Sequence, residues 1–187
     1  MRAAGEATRE RILAAAKIEF AQFGIAGARI NRIATTARAS KDRLYAYFPG
    51  KSELYAAVTE QWATETTLDT GFTAENIPAY IGRLFDHFVD HPEDARLQAW
   101  AELEPSGEDI AEILRRTVEP KIAELRRGQR EGLITAAIPA ALLLRMLTDL
   151  ARTAATHARQ DAEQADGRRL AKRRAATVLA ATRIVGP

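Results

Sequence analysis

The chain has no cysteine, and only three histidines and two methionines among its 187 residues. Without cysteine there are no disulfides, thiolate zinc sites or cysteine nucleophiles, and a reducing, cytoplasmic setting is expected. Long apolar runs are missing too. Nothing approaches the roughly 18–20 uncharged apolar residues of a membrane span, so no membrane partner is expected. The opening Met1-Arg2-Ala3-Ala4-Gly5-Glu6 reaches Arg9-Glu10-Arg11 with no apolar stretch between, which argues against a secretory signal. Alternating runs rich in β-branched residues, the mark of strands, do not occur. There is no His/Asp/Ser arrangement, phosphate loop or H-E-x-x-H helix, so an enzyme (a small helical hydrolase or a metal-dependent lyase) is disfavoured and no cofactor is expected. No internal repeat or low-complexity linker is visible.

What the chain does contain is 47% apolar residues, enough for a real core. Its net charge of +2 conceals an asymmetry. Residues 1–55 hold ten Lys/Arg against five Asp/Glu, whereas residues 56–187 hold seventeen against twenty. A basic head on a mildly acidic body suits a protein whose head alone meets a polyanion.

Apolar residues recur at spacings of three and four almost throughout, so the expected fold is all-α with about nine helices. The first helix is predicted from an N-cap at Thr8 to Gly24, with Ile12, Ala16, Phe20 and Phe23 inward. A short helix over Ile30–Ala37, a turn at Arg38-Ala39-Ser40 and a Ser40-capped helix over Lys41–Phe48 follow, closed by Pro49-Gly50. The next helix is predicted to begin at Ser52, with a loop over Thr66–Glu75. Asn76 then caps an amphipathic helix bearing Ile77, Tyr80, Ile81, Leu84, Phe85 and Phe88. Pro92 opens a helix with Leu97, Trp100 and Leu103 inward, ending at Pro105-Ser106-Gly107. Residues 108–131 read as one long helix or as a pair broken at Pro120. The last two helices are predicted over Pro139–Arg159 and from about Asp166 to Val185.

The chemistry is concentrated near the N-terminus. Two short helices joined by a tight turn, the second exposed enough to enter a DNA groove, make a helix-turn-helix. Ile30, Ile33, Ala34 and Ala37 give the first of them a buried side, and Leu44 and Phe48 do so for the second. The other faces of the second carry Lys41, Asp42, Arg43, Tyr45 and Tyr47, which can reach bases and phosphates.

These residues resemble the TetR family of bacterial regulators. The resemblance runs from Thr8-Arg9-Glu10-Arg11-Ile12-Leu13-Ala14-Ala15-Ala16 through Phe20-Ala21-Gln22-Phe23-Gly24 and Ile33-Ala34. It continues over Ser40-Lys41-Asp42-Arg43-Leu44-Tyr45-Ala46-Tyr47-Phe48-Pro49-Gly50-Lys51-Ser52-Glu53-Leu54. It implies an N-terminal DNA-binding domain, residues 1–51, and a helical ligand-binding and dimerisation domain, residues 52–187. The implied protein is a homodimeric repressor of double-stranded operator DNA that answers to a small-molecule effector. Activation, or constitutive binding without an effector, would look the same in the sequence. By position, the resemblance puts Lys41, Asp42 and Arg43 at the base-reading end of a recognition helix capped by Ser40. It puts Tyr45, Tyr47 and Lys51 on phosphates, and Asn31 within reach of a base. The tyrosines have a second reading, as packing residues with a wet hydroxyl. Three departures stand out: Arg38 holds a turn position usual for Gly, Arg29 replaces a capping hydroxyl but brings a cation near the DNA, and Asp42 replaces a small residue.

The body is less informative. Trp62, Phe85, Phe88, Trp100, Met146 and Asp149 are candidates for an effector pocket, with plain core as the alternative for each. His87 and His91, four apart beside Asp86 and Asp90, read as surface or helix-terminal histidines rather than as a metal site, and no metal is expected. Leu143, Leu147, Leu150 and Ala154 make the penultimate helix too apolar for an exposed surface, and Val178 and Ala181 follow on the last helix. These six are the candidate dimer residues.

Overall fold

The computed structural model describes residues 2–68, 71–104, 107–162 and 167–186. Among them are nine helices and no strand: α1 Arg2–Gly27, α2 Ile30–Thr36, α3 Lys41–Tyr47, α4 Lys51–Leu68, α5 Ile77–Asp90, α6 Pro92–Leu103, α7 Glu108–Arg130, α8 Ala140–Ala162 and α9 Gly167–Val185. Two compact units result, one from Met1–Leu68 with Arg96–Leu114, the other from Asp69–Ala95 with Arg115–Pro187. The expected reading head, residues 1–51, lies wholly within the first.

In the first unit α1 packs on α2, α3 and α4 around Ile12, Phe20, Ile33, Leu44 and Leu54, all fully buried. Phe20 meets Tyr55 edge-on at 5.0 Å. Burial, and then the charge of Glu104, push the Tyr55 phenol above its ordinary value, against a hydrogen bond with Thr59. The first helix does not start at Thr8. It runs from Arg2, and Thr8 is buried inside it, accepting from Arg11 Nη2 at 3.2 Å. At the other end Gly24 takes φ 65, ψ −179, and helical backbone resumes to Gly27 beyond that kink. Phe23, expected inward, is 36% exposed because the chain has begun to turn, and its ring is covered by the Arg32 guanidinium at 4.2 Å. α4 continues through Thr66–Leu68, where a loop was expected. On α6, Leu97 is buried but Leu103 is 75% exposed at the last helical position. The expected stop at Pro105-Ser106 lies outside the described residues, as does Asp166.

In the second unit α5 packs against both α8 and α9, which pack on each other. The stripe Ile77, Ile81, Phe85 and Phe88 is fully buried there with Leu143 and Leu147. Asn76 occupies the cap position of α5, but its side chain accepts from Thr73 N at 3.0 Å and closes the preceding turn instead. The alternatives left open at Pro120 resolve to one helix, α7, which carries the loss of one ladder bond. Arg174 Nε donates to both carboxylate oxygens of Asp86 at 2.8 Å, joining α9 to α5, and Arg159 Nη1 donates to Val89 O at 2.7 Å near the end of α5.

Candidate nucleic-acid interface

The turn between α2 and α3 sets the geometry of the site. Ala39 N donates to Ala34 O at 3.0 Å and Arg38 N to Thr35 O at 3.1 Å, the bond pair of a Schellman closure. That closure requires a left-handed residue, and Arg38 supplies it at φ 53, the one non-glycine positive φ among the described residues. The carbonyl of the C-cap residue, Ala37 O, accepts from Arg11 Nε at 3.3 Å. Ser40 Oγ then accepts from Arg43 N at 3.1 Å and starts α3 as expected. Ile33, Ala34, Ala37, Leu44 and Phe48 are buried beneath the motif, which leaves Lys41, Asp42 and Arg43 exposed together on the first turn of α3.

Arg29 is at the N-cap of α2 with no capping side chain of its own. The missing cap is supplied from α1. Buried Glu19 accepts from Arg29 N at 2.8 Å and from Arg32 Nε at 2.8 Å, and pairs with Arg32 Nη2 at 2.6 Å. Arg32 Nη2 also reaches Gly27 O at 3.1 Å. One carboxylate thus replaces the hydroxyl that the local sequence lacks, and two charge-assisted bonds hold the start of α2 to α1. The kink at Gly24 is satisfied in a similar way. Glu104 accepts from Ile25 N at 2.8 Å and Ala26 N at 3.4 Å, and Trp100 Nε1 donates to Ala21 O at 3.2 Å. A Cβ on Gly24 would lie 2.7 Å from Glu104 Oε1 and 2.9 Å from Trp100 Cε3, so glycine is required there by space as well as by φ.

Arg29 and Asn31 are exposed on α2, and Tyr45 is 43% exposed on α3. Tyr47 is half-buried, and its hydroxyl donates to Gly5 O at 2.9 Å. Lys51 Nζ donates to Ala26 O at 3.3 Å and Ala28 O at 3.4 Å, which places its charge at the corner between α1 and α2. Glu19, Arg11 and Glu104 are the supporting residues that sequence reasoning missed. Glu19 had a signal: it falls on the apolar stripe of Ile12, Ala16 and Phe23, where an unpaired carboxylate would be costly. Glu104, 79 residues from its partner Ile25, had none.

The other expected sites are less united. Trp62 and Trp100 belong to the first unit, and Trp100 is half-buried with its indole N–H spent on Ala21. Phe85 and Phe88 fill the core of the second unit, and Met146 is 39% exposed on α8. Asp149 pairs with Arg152 at 2.6 Å and lines an open groove of about 530 Å³ between α8 and α9, with Leu150, Ala154, His157, Arg173 and Thr177. Of the candidate dimer residues, Leu143, Leu147 and Ala181 are fully buried within the chain and have no surface to offer a partner. Leu150, Ala154 and Val178 are half-buried. His87 is helix-terminal, in the last turn of α5, and its Nε2 lies 2.9 Å from Oδ2 of buried Asp94 near the start of α6. Among the described residues no three His, Asp or Glu side chains are placed to hold a metal.

Comparison with known proteins agrees with this geometry. The family model described as "Bacterial regulatory proteins, tetR family" matches residues 12–58, and "Tetracyclin repressor-like, C-terminal domain" matches residues 76–183. The HTH-type transcriptional repressor SCO4008 of Streptomyces coelicolor is 42% identical over 151 residues, 80% of this chain and 79% of that protein. The crystal structure of a Streptomyces coelicolor protein described as transcriptional regulator SCO4942 superposes with a TM-score of 0.79 at 41% identity, covering 95% of this chain and 98% of that one. The regulator FadR of Bacillus subtilis, solved with stearoyl-CoA, shares the fold at a TM-score of 0.68 and 19% identity, covering 95% of this chain and 98% of its own. The chain belongs to the TetR family. It is an all-α, DNA-binding transcriptional regulator with an N-terminal helix-turn-helix and a helical C-terminal domain.

Proposed function

We propose that this regulator is a cytoplasmic homodimeric repressor which grips a palindromic operator with residues 1–51 and releases it when a small-molecule effector binds the body, residues 52–187. The observation that carries this reading is the exposed turn Lys41-Asp42-Arg43, presented by a Ser40 cap on a helix anchored by buried Leu44. Arg43 is suited to bidentate contact with guanine, and Asp42 to accepting from cytosine N4 or orienting Arg43. Lys41 within that turn, with Tyr45, Lys51, Arg29 and Asn31 outside it, would supply the further DNA contacts, those to the backbone fixing register.

Dimerisation is supported by exposed apolar side chains on the same two helices, α8 and α9, beside the buried Leu143, Leu147 and Ala181. Leu142 and Met146 on α8, and Leu170 and Leu179 on α9, are large apolar side chains left exposed, with Leu142 at 51% and Leu179 at 56%. Exposed apolar side chains of this kind are stabilised in water when a second copy covers them. A dimer would set two recognition helices ~34–36 Å apart, one turn of DNA. An effector shifts that arrangement by no more than its differential affinity for the two states. The liganded FadR neighbour supports the effector arm of the proposal at the level of fold. Among the described residues no helix is long and apolar enough to cross a membrane.

Footprinting of the purified protein on its own upstream DNA tests this reading. A protected palindrome, bound by two copies and released by a metabolite fraction that also quenches Trp62 or Trp100, is the expected result. Protection that ignores sequence, or one copy per site, would overturn it.

A further inference from the structure

The left-handed arginine of the reading head stands directly before its base-reading end. Arg38 holds φ 53, and only Ala39 and Ser40 separate it from Lys41, the first residue of α3. The bonds from Ala39 N to Ala34 O and from Arg38 N to Thr35 O demand that backbone conformation, but they do not demand that side chain. Glycine adopts it without steric cost, and asparagine more readily than most residues. An arginine there carries strain, and residues held in sparsely populated backbone regions cluster where a protein meets its ligand.

The packing around the turn offers the Arg38 side chain nothing in return. It is exposed, and among the described residues no acceptor meets its guanidinium. Neighbouring cations differ. Arg11 Nε donates to Ala37 O, Arg32 pairs with buried Glu19, and Lys51 Nζ donates to Ala26 O and Ala28 O. Position supplies the missing acceptor. A recognition helix that presents its N-terminal residues to base edges brings the chain entering that end across the rim of the major groove, which is lined by phosphates. Arg38 is the cation on that entering chain, and a guanidinium, always charged and with forked donors, matches a phosphate.

We propose that Arg38 grips a backbone phosphate at the rim of the major groove, one contact for each bound copy. The proposal rests on the DNA-binding reading above. The turn is then itself a DNA-contacting element, and the arginine in place of glycine is what makes it one.

The salt dependence of operator affinity counts the phosphates neutralised. Three variants of the full chain separate charge from strain: Arg38→Gly removes both, Arg38→Gln removes only the charge, and Arg38→Lys keeps both. The two neutral variants are expected to lower the slope by about one per bound copy and to weaken binding roughly tenfold at moderate salt, alike for every operator sequence. Arg38→Lys is expected to hold the slope. Thermal melts of all three should stay close to that of the unsubstituted protein, so that the loss follows charge and not the turn. An unchanged slope in Arg38→Gly, a loss in Arg38→Gln that Arg38→Gly does not share, or a loss confined to particular base pairs would overturn the proposal. If the unsubstituted protein gives no footprint, the DNA-binding reading itself falls, and this inference with it.

Discussion

The first turn of α3 and the outer face of α8 and α9 are both exposed, and they are exposed for opposite reasons. Lys41, Asp42 and Arg43 are charged side chains lifted off a small, fully used apolar base of Ile33, Leu44 and Phe48. Leu142, Met146 and Leu179 are apolar side chains left over after Leu143, Leu147 and Ala181 have filled the core. The first surface is held by polar bonds with defined partners, through Ser40, Glu19 and Arg11. The second is held by packing on α5, and in the proposed dimer a second copy would cover it. A surface that reads a polyanion must stay hydrated and oriented when empty, whereas one that buries a partner need only be apolar and complementary in shape.

The sharpest way to break this contrast is to place a charge on the apolar face. Leu142→Glu with Met146→Glu is expected to abolish the dimer, as measured by sedimentation, while helix content is unchanged. Retention of the dimer would assign the leftover face another role. Next in size is the base of the reading head. Leu44→Ala leaves a cavity at a fully buried site and should cost about 2–5 kcal/mol in a denaturant melt. A smaller loss is expected from Glu19→Ala, which strips the acceptor from Arg29 N and from Arg32 and should destabilise by about 1–3 kcal/mol. A neutral result would mean that α2 does not depend on its borrowed cap. The smallest effect belongs to the turn. Arg38→Gly relieves a left-handed arginine but adds unfolded-state freedom, so the melting midpoint should change by less than about 1 kcal/mol in stability. Arg38→Val, which tolerates positive φ poorly, should fall well below both.

The same contrast explains what was legible in the sequence. The reading head was legible because its determinants are neighbours in the chain: Ser40 caps the helix whose third residue is Arg43, and Leu44 and Phe48 are one turn apart. Even the strained turn was visible as an arginine where glycine would be easier. The supports came from far away, as with Glu104 on Ile25 and Arg11 on Ala37, and no local pattern announces which carboxylate a distant amide will find. On α8 the difficulty was of another kind. Leu142, Leu143, Leu144, Met146 and Leu147 make the helix apolar most of the way round, so periodicity identifies the helix without choosing which stripe faces α5. That choice was reversed for Leu143, Leu147 and Ala181. The kink at Gly24 likewise exposed Phe23, because an apolar stripe holds only while the helix stays straight.

The central claim is that the exposed turn of α3 reads DNA sequence. Its most direct test is the affinity of the protein and of Arg43→Ala for the footprinted operator, and for the same operator with single base pairs changed in each half-site. The expected result is a loss of about 1–3 kcal/mol in discrimination confined to one guanine position in each half-site, with non-specific affinity little altered. An Arg43→Ala variant that weakens binding equally for every sequence would contradict the claim and leave Arg43 as one more phosphate contact.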